Sequence, residues 1–315
     1  MAFSTPMNNE IWYSVRKEVK QEIMNTDILC EIVFSDGQEE KAVVALETVF
    51  DMMRDFEKRF SRFRKDNELF ELNQSTQLKV SEDLFAMLTL AKRFHESTQR
   101  LFDPSILPIL EKEGYKGALP QAARKEKGDF SKLHLDPATR TVTKPADLFI
   151  DLGGIGKGYI VDQVALFLKQ HFDNFLIDAG GDIFAQGVNQ KEGYPYWAVE
   201  VEHPLENKLP PAILLLNDMA VATSGRNRRH WVKEGKEKHH LINPLLGESA
   251  AEDFLTVTVL APNTTTADIF AKSLFIAGKE RGPELAEVWG IPAIFIEASG
   301  NVILNQYVQK YVWKA

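Results

Sequence analysis

Two segments of this chain combine charge and glycine in spacings that suit phosphate chemistry. The first is FIDLGGIGKGYIV, Phe149 to Val161, where Asp151 is followed by Gly153, Gly154, Gly156, Lys157 and Gly158. Apolar residues lead into the glycines, and helical spacing runs from Tyr159 to Gln170. A strand is therefore predicted to end on Asp151 and a helix to begin after the turn. Glycines let backbone N–H groups approach an anion, a helix N-terminus adds positive potential, and Lys157 adds a full charge. A diphosphate suits such an element. The P-loop pattern fails because Gly158, not a hydroxyl residue, follows Lys157, and the glycines do not run G-x-G-x-x-G. Taken alone, the segment also reads as a tight strand-to-helix turn with an incidental lysine.

The second is TTTADIFAKSLFIAG, Thr264 to Gly278, where Asp268 and Lys272 stand four apart and share one face of a helix. Three further segments carry polar groups. DAGGDIFAQG starts at Asp178 and sets carboxylates on both sides of a glycine pair. ATSGRNRRHW offers Thr223, Ser224 and the Gly225 amide as partners for a phosphate or ribose, with Arg226, Arg228 and Arg229 behind them. HHLINPLLG places His239 and His240 before an Asn-Pro turn. Each has a plainer reading: a turn, a solvated basic face, an idle histidine or an exposed ion pair.

The chain around these segments has 315 residues, 44% hydrophobic and 26% charged, enough to bury a large core. A net charge of −8 argues against non-specific nucleic-acid binding. The lone Cys30, within the alternation of ILCEIVF, excludes an intramolecular disulfide and reads as a buried thiol. No apolar run is long enough to span a bilayer, and residues 1–20 lack an apolar signal core, so a cytoplasmic protein is expected.

Residues 1–22 read as a polar lead-in with an amphipathic stretch, and 23–315 as one domain or two intimately joined lobes. Strands are predicted at Asp27–Phe34, Phe175–Asp178, Trp197–Val201, Ile213–Leu216, Met219–Thr223, Leu255–Leu260, Ala293–Glu297 and Val302–Asn305. His134–Leu135 and Thr141–Val142 form a short hairpin. Helices are predicted over Ala42–Phe63, Ser81–Thr98, Thr265–Ala277 and Pro283–Trp289. Residues 118–132 are a polar connection. Early helices followed by antiparallel strands imply an α+β fold.

In this order the segments resemble the ApbE family of FAD:protein FMN transferases over roughly residues 24 to 305. The resemblance rests on MNT at Met24, SRFRKDNELFELN, LFDPSILPILEKEGY, DLGGIGKGYIVD, DAGGDI, ATSG, HHLINPLLG and TADIFAKSLFIAG. It implies a mixed fold with antiparallel sheets and packed helices. It further implies FAD held in a cleft with Mg2+ at its diphosphate. A Thr or Ser hydroxyl of a partner flavoprotein would attack the FMN-side phosphorus, and AMP would leave. On this reading Met24, Thr26, Asp151, Lys157, Asp178, Thr223, Ser224 and Gly225 contact FAD. The Gly154 carbonyl and Asp268 hold the metal, and His240 and Asp268 serve catalysis.

Two positions depart from the family pattern. Asn25 replaces a glycine in a Met-Gly-Thr element, and Lys272 stands where the family has a threonine metal ligand. A protonated ammonium cannot ligate a cation, and Ser273 lies about 100° away around the helix. Either Lys272 itself neutralises the diphosphate or the metal is held differently. A FAD diphosphatase giving FMN and AMP, and a flavin-binding protein without turnover, are the alternative functions.

Overall fold

Alternating apolar residues in Thr26–Ser35 turn Ile28, Cys30 and Ile32 to one face of a strand and Val33 to the other, and all four are buried. A strand with two buried faces belongs inside a sheet covered on both sides, and that is its place here. The computed structural model describes residues 11–115, 128–189, 191, 193–205, 208–226, 230–233 and 235–314. Arg228, Arg229, residues 1–10 and residues 118–127 of the polar connection lie outside the described residues.

The main sheet has eight strands: β1 (Trp12–Ile23), β2 (Thr26–Ser35), β3 (Asn174–Ala179), β4 (Asp182–Gln186), β5 (Met219–Gly225), β6 (Phe254–Ala261), β7 (Ala293–Glu297) and β8 (Val302–Leu304). Their order in the sheet is their order in the chain, and every neighbouring pair is antiparallel. The amphipathic stretch of the lead-in is thus the edge strand β1. The helices are insertions into this meander. α1 (Glu39–Phe60), α2 (Glu68–Gln74), α3 (Glu82–Ser97), α4 (Leu107–Lys112) and α5 (Gly156–Lys169) fall between β2 and β3, and α6 (Thr264–Trp289) between β6 and β7.

Helices α1, α5 and α6 cover one face of the sheet, and α3 packs into the same larger core. The other face is covered by the hairpin Trp197–Val201 with Ala212–Leu216 and by the C-terminal segment, whose Trp313 N–H donates to Ile213. The mixed α+β architecture matches the expectation. The two helices predicted after residue 264 are one element broken at Gly278, where φ is +79° and ψ is −179°. The Asp253 carboxylate accepts from the Lys279 N–H and so restarts the helix.

One predicted strand is absent. Leu148, Ile150 and Leu152 are buried, but the segment into the glycines joins no sheet. Its ladder partner is a side chain: the Asn73 amide donates to the Ile150 carbonyl at 2.9 Å and accepts from the Ile150 N–H at 2.7 Å. Burial among helices drew the apolar run, and one amide satisfies its backbone.

Candidate active site

Antiparallel pairing brings the β1–β2 turn, the β3–β4 turn, the end of β5 and the start of β6 to one end of the sheet. The β1–β2 turn is Met24–Asn25, with φ of +54° and +52°, the geometry of a two-residue hairpin turn. Asparagine takes this backbone readily and methionine does not. Met24 nevertheless packs against the main core. The β3–β4 turn is Gly180–Gly181, and Asp178 Oδ1 accepts from the Gly181 N–H at 2.7 Å. A Cβ on Gly180 would lie 1.9 Å from Thr26 Oγ1, so only glycine lets the two turns touch. Thr223, Ser224 and Gly225 close β5, and Thr223 Oγ1 lies 2.9 Å from Thr258 Oγ1.

The glycine loop satisfies several of its own amides. None of Gly153, Gly154, Gly156 and Gly158 has a positive φ. The Gly153 N–H bonds to Asp151 Oδ1 at 2.8 Å, and the Ile155 and Gly156 N–H groups bond to the Leu152 carbonyl. Three amides are therefore spent within the turn. Gly158 serves close packing: a Cβ there would come within 2.7 Å of the Thr265 Cα, where α5 crosses the start of α6. There the Asp162 carboxylate accepts from the Thr264 and Thr265 N–H groups at 2.7 and 2.9 Å, and from Thr265 Oγ1 at 2.5 Å.

The positive charge of the loop is the Lys157 ammonium, which bonds to the Asp182 carboxylate. Asp182 is 1% exposed. Burial raises its pKa and the nearby Asp268 adds to this, while Lys157 and Lys272 oppose it. On α6 the Lys272 ammonium donates to Asp268 Oδ1 at 2.8 Å and to the Gly154 carbonyl at 2.9 Å. Asp268 is also buried, and its Oδ2 has no hydrogen-bond partner. Two ammoniums and two buried carboxylates thus form one cluster.

This cluster lies where two cavities meet. One, of about 390 Å³, is lined mainly by apolar and aromatic groups such as Phe56, Phe60, Phe102 and Tyr115, with Met24 and Asp151. The other, of about 710 Å³, is lined by Thr26, Asp178, Thr223, Ser224, Gly225 and Asp268. Asn25, Gly153, Lys157, His240 and Lys272 border both. The structure therefore brings all the predicted site residues to this pair of cavities. The two histidines part company. His239 is buried, with Nε2 donating to the Ala250 carbonyl, and burial lowers its pKa. His240 faces the junction.

Two residues went unselected in the sequence. Asp182 is the second carboxylate of DAGGDI, and only its burial against Lys157 distinguishes it from Asp178. Arg62, in SRFRKDNELFELN, is 7% exposed and lies 4.4 Å from the Tyr115 ring and 4.6 Å from the Phe63 ring. Its Nε stands 3.8 Å from Asp151 Oδ2, and its two terminal nitrogens are buried without hydrogen-bond partners, at the wall of the apolar cavity.

The pattern of the ApbE family matches residues 24–295. The chain belongs to the ApbE family. A FAD:protein FMN transferase of Haemophilus influenzae is 32% identical over 269 residues, spanning 79% of this chain and 77% of its own. That of Treponema pallidum is 32% identical over 294 residues, spanning 85% and 81%. The solved structure of the flavin transferase ApbE of Vibrio cholerae superposes with a TM-score of 0.79 at 25% identity, covering 95% of this chain and 100% of its own.

The Mg2+ that ApbE resemblance implies does not fit the donors present. A divalent ion shared by the Gly154 carbonyl and Asp268 would lie between the oxygens that the Lys272 ammonium already joins, and Mg2+ demands about six oxygens at about 2.1 Å. Among the described residues no group of three or more His, Cys, Asp or Glu side chains could hold a metal ion. No helix among them is long and apolar enough to cross a membrane.

Proposed function

We propose that this chain is a FAD:protein FMN transferase that holds FAD across the junction of the two cavities, with the diphosphate over Lys157 and Lys272. The observation that carries this reading is the junction itself, where two ammoniums and His240 border an apolar and a polar cavity at once. A dinucleotide has that shape: a charged centre between two ring systems. The apolar cavity offers Arg62 and Asp151 as polar groups for the edge of a base. The polar cavity offers Thr26, Asp178, Thr223, Ser224 and Gly225 for the sugar and phosphate oxygens.

The acceptor is a Thr or Ser hydroxyl of a partner flavoprotein. Its oxygen attacks the FMN-side phosphorus and forms a new P–O–C ester bond, while the bond from that phosphorus to the bridging oxygen breaks. AMP leaves with the bridging oxygen, and His240 takes the hydroxyl proton. No electrons change hands. Alignment of the hydroxyl with the phosphorus and a fixed field of N–H donors supply the rate, as in other phosphoryl transfers. Asp268 orients the Lys272 ammonium.

Incubation with FAD and a candidate acceptor domain, followed by intact-protein mass measurement and nucleotide separation, tests the reading. Acceptor carrying FMN, with one AMP released for each FMN attached, is expected. Free FMN with AMP and an unmodified acceptor would instead identify a FAD diphosphatase. Bound, unchanged FAD would identify a flavin-binding protein.

A further inference from the structure

We infer that Lys272 replaces a divalent metal ion: its ammonium is the built-in cation of the diphosphate site, and FMN transfer by this chain needs no divalent metal. The chemistry rests on the flavin-transfer reading, whereas the position of the cation rests on geometry alone. Nζ of Lys272 lies 2.9 Å from the Gly154 carbonyl and 2.8 Å from Asp268 Oδ1. These are the acidic and neutral oxygens a bound cation would bridge. Lys272 is held in place as well as paired. Its stem passes beside Gly154, where a Cβ would make ordinary contact with Cδ and Cε at 3.7 Å and a tighter one, at 3.2 Å, with Phe102 Cε2. The side chain is only 14% exposed.

An ammonium has three donors, and two are committed to Gly154 and Asp268. The third is left for a ligand in the junction that Lys272 borders on both sides. Lys157 stands beside it as the second cation, tied to Asp182. A doubly charged diphosphate placed there meets two fixed ammoniums. The free Asp268 Oδ2 does not restore a metal site, because one carboxylate oxygen beside an ammonium offers a divalent ion too few ligands and a like charge.

The test uses the full chain after chelation, titrated with Mn2+ and followed by the electron-paramagnetic signal of free Mn2+, with and without FAD. Wild type is expected to bind no stoichiometric Mn2+, and Lys272→Thr to bind one ion per chain. FMN transfer by wild type is expected to change less than about twofold in chelator, while Lys272→Thr becomes dependent on added metal by about tenfold or more. One Mn2+ bound per wild-type chain, or wild-type transfer abolished by chelator and restored by Mg2+, overturns the inference. Should Lys272→Thr fail to fold, Lys272→Met keeps the apolar stem. Its transfer in chelator is expected to fall about tenfold or more, and transfer at the wild-type rate overturns the inference. If no acceptor is ever flavinylated, the Mn2+ titration still decides the cation position, so failure of the flavin-transfer reading is told apart from failure of this one.

Discussion

The ammonium of Lys157, in the first turn of α5, is paired with the buried carboxylate of Asp182 at the start of β4. The pair ties the glycine loop to the sheet. It joins a helix from the long insertion after β2 to a hairpin turn that the sequence places 25 residues further on. Removing the lysine leaves a buried carboxylate without its nearest cation, which is far more costly than never having had the pair. Lys157→Met is expected to lower stability by roughly 2–3 kcal/mol near neutral pH, measured by denaturant unfolding. An unchanged midpoint would show that solvent or Lys272 compensates fully.

The same pair makes a prediction about pH. Burial and the neighbouring Asp268 raise the Asp182 carboxyl, and Lys157 lowers it. A carboxyl raised in the folded state favours the protonated fold, so its ionisation weakens folding as pH climbs from the unfolded value, about 4, through the folded one. Removing Lys157 raises the carboxyl further and enlarges that penalty. The deficit of Lys157→Met relative to wild type is therefore expected to be smallest near about pH 4–5 and to widen toward about pH 8. Thermal melts of both proteins over this range check it, and a deficit that shrinks with rising pH would refute it.

Asn73 carries a separate prediction. Its amide both donates to and accepts from Ile150, just before Asp151. Asn73→Ala leaves two buried backbone groups unpaired and is expected to cost about 2–4 kcal/mol. Asn73→Asp can still accept from the N–H but, when ionised, cannot donate to the carbonyl. It is expected to recover part of the loss as the pH falls and the carboxyl protonates. FAD affinity, followed by flavin fluorescence, should fall in both variants because the glycine loop hangs from this amide.

These cases show what the sequence discloses and what it withholds. The helix from Ser81 was legible because its signals are local: Ser81 accepts from the Leu84 N–H, and the apolar period points to one face. The sheet strands were legible from alternation, and the Asp268–Lys272 pair from helical spacing. The third partner of Lys272, the Gly154 carbonyl, lies 118 positions away, and no spacing rule reaches it. The strand predicted to end on Asp151 failed for the same reason. Its apolar run is buried by helices, and its ladder partner is a side chain 77 positions away. Gly158, within a loop whose glycines look shaped for a phosphate, is also a site of close approach, a property of two elements rather than of one.

Gly158 separates packing from ligand binding. A Cβ there would lie 2.7 Å from the Thr265 Cα and 2.9 Å from the Thr264 carbonyl, both backbone atoms with little room to move. Gly158→Ala is expected to force α5 and α6 apart and to cost about 1–3 kcal/mol. Gly156 meets only the Phe56 ring, at 3.4 Å. Gly156→Ala is expected to leave stability within about 1 kcal/mol of wild type. Equal losses in the two variants would show that loop conformation, rather than helix contact, sets the requirement.

Asp162 links the two walls of the site. From α5 it takes the first free N–H groups of α6, those of Thr264 and Thr265, together with the Thr265 hydroxyl. A helix leaves these donors open, and a carboxylate from a neighbouring helix caps them as a residue of the same chain turn would. Asp268 and Lys272 follow one and two turns along α6, so the cap sets the depth at which Lys272 meets Gly154. Asp162→Ala is expected to cost about 2–3 kcal/mol and to weaken FAD binding by misplacing Lys272. Asp162→Asn keeps one acceptor oxygen and sets an NH2 donor against the other backbone N–H, so it should fall between wild type and Asp162→Ala. Denaturant unfolding and FAD titration of the three proteins give the order wild type, Asp162→Asn, Asp162→Ala in both measurements. A loss of stability with unaltered FAD affinity would uncouple the cap from the cation position.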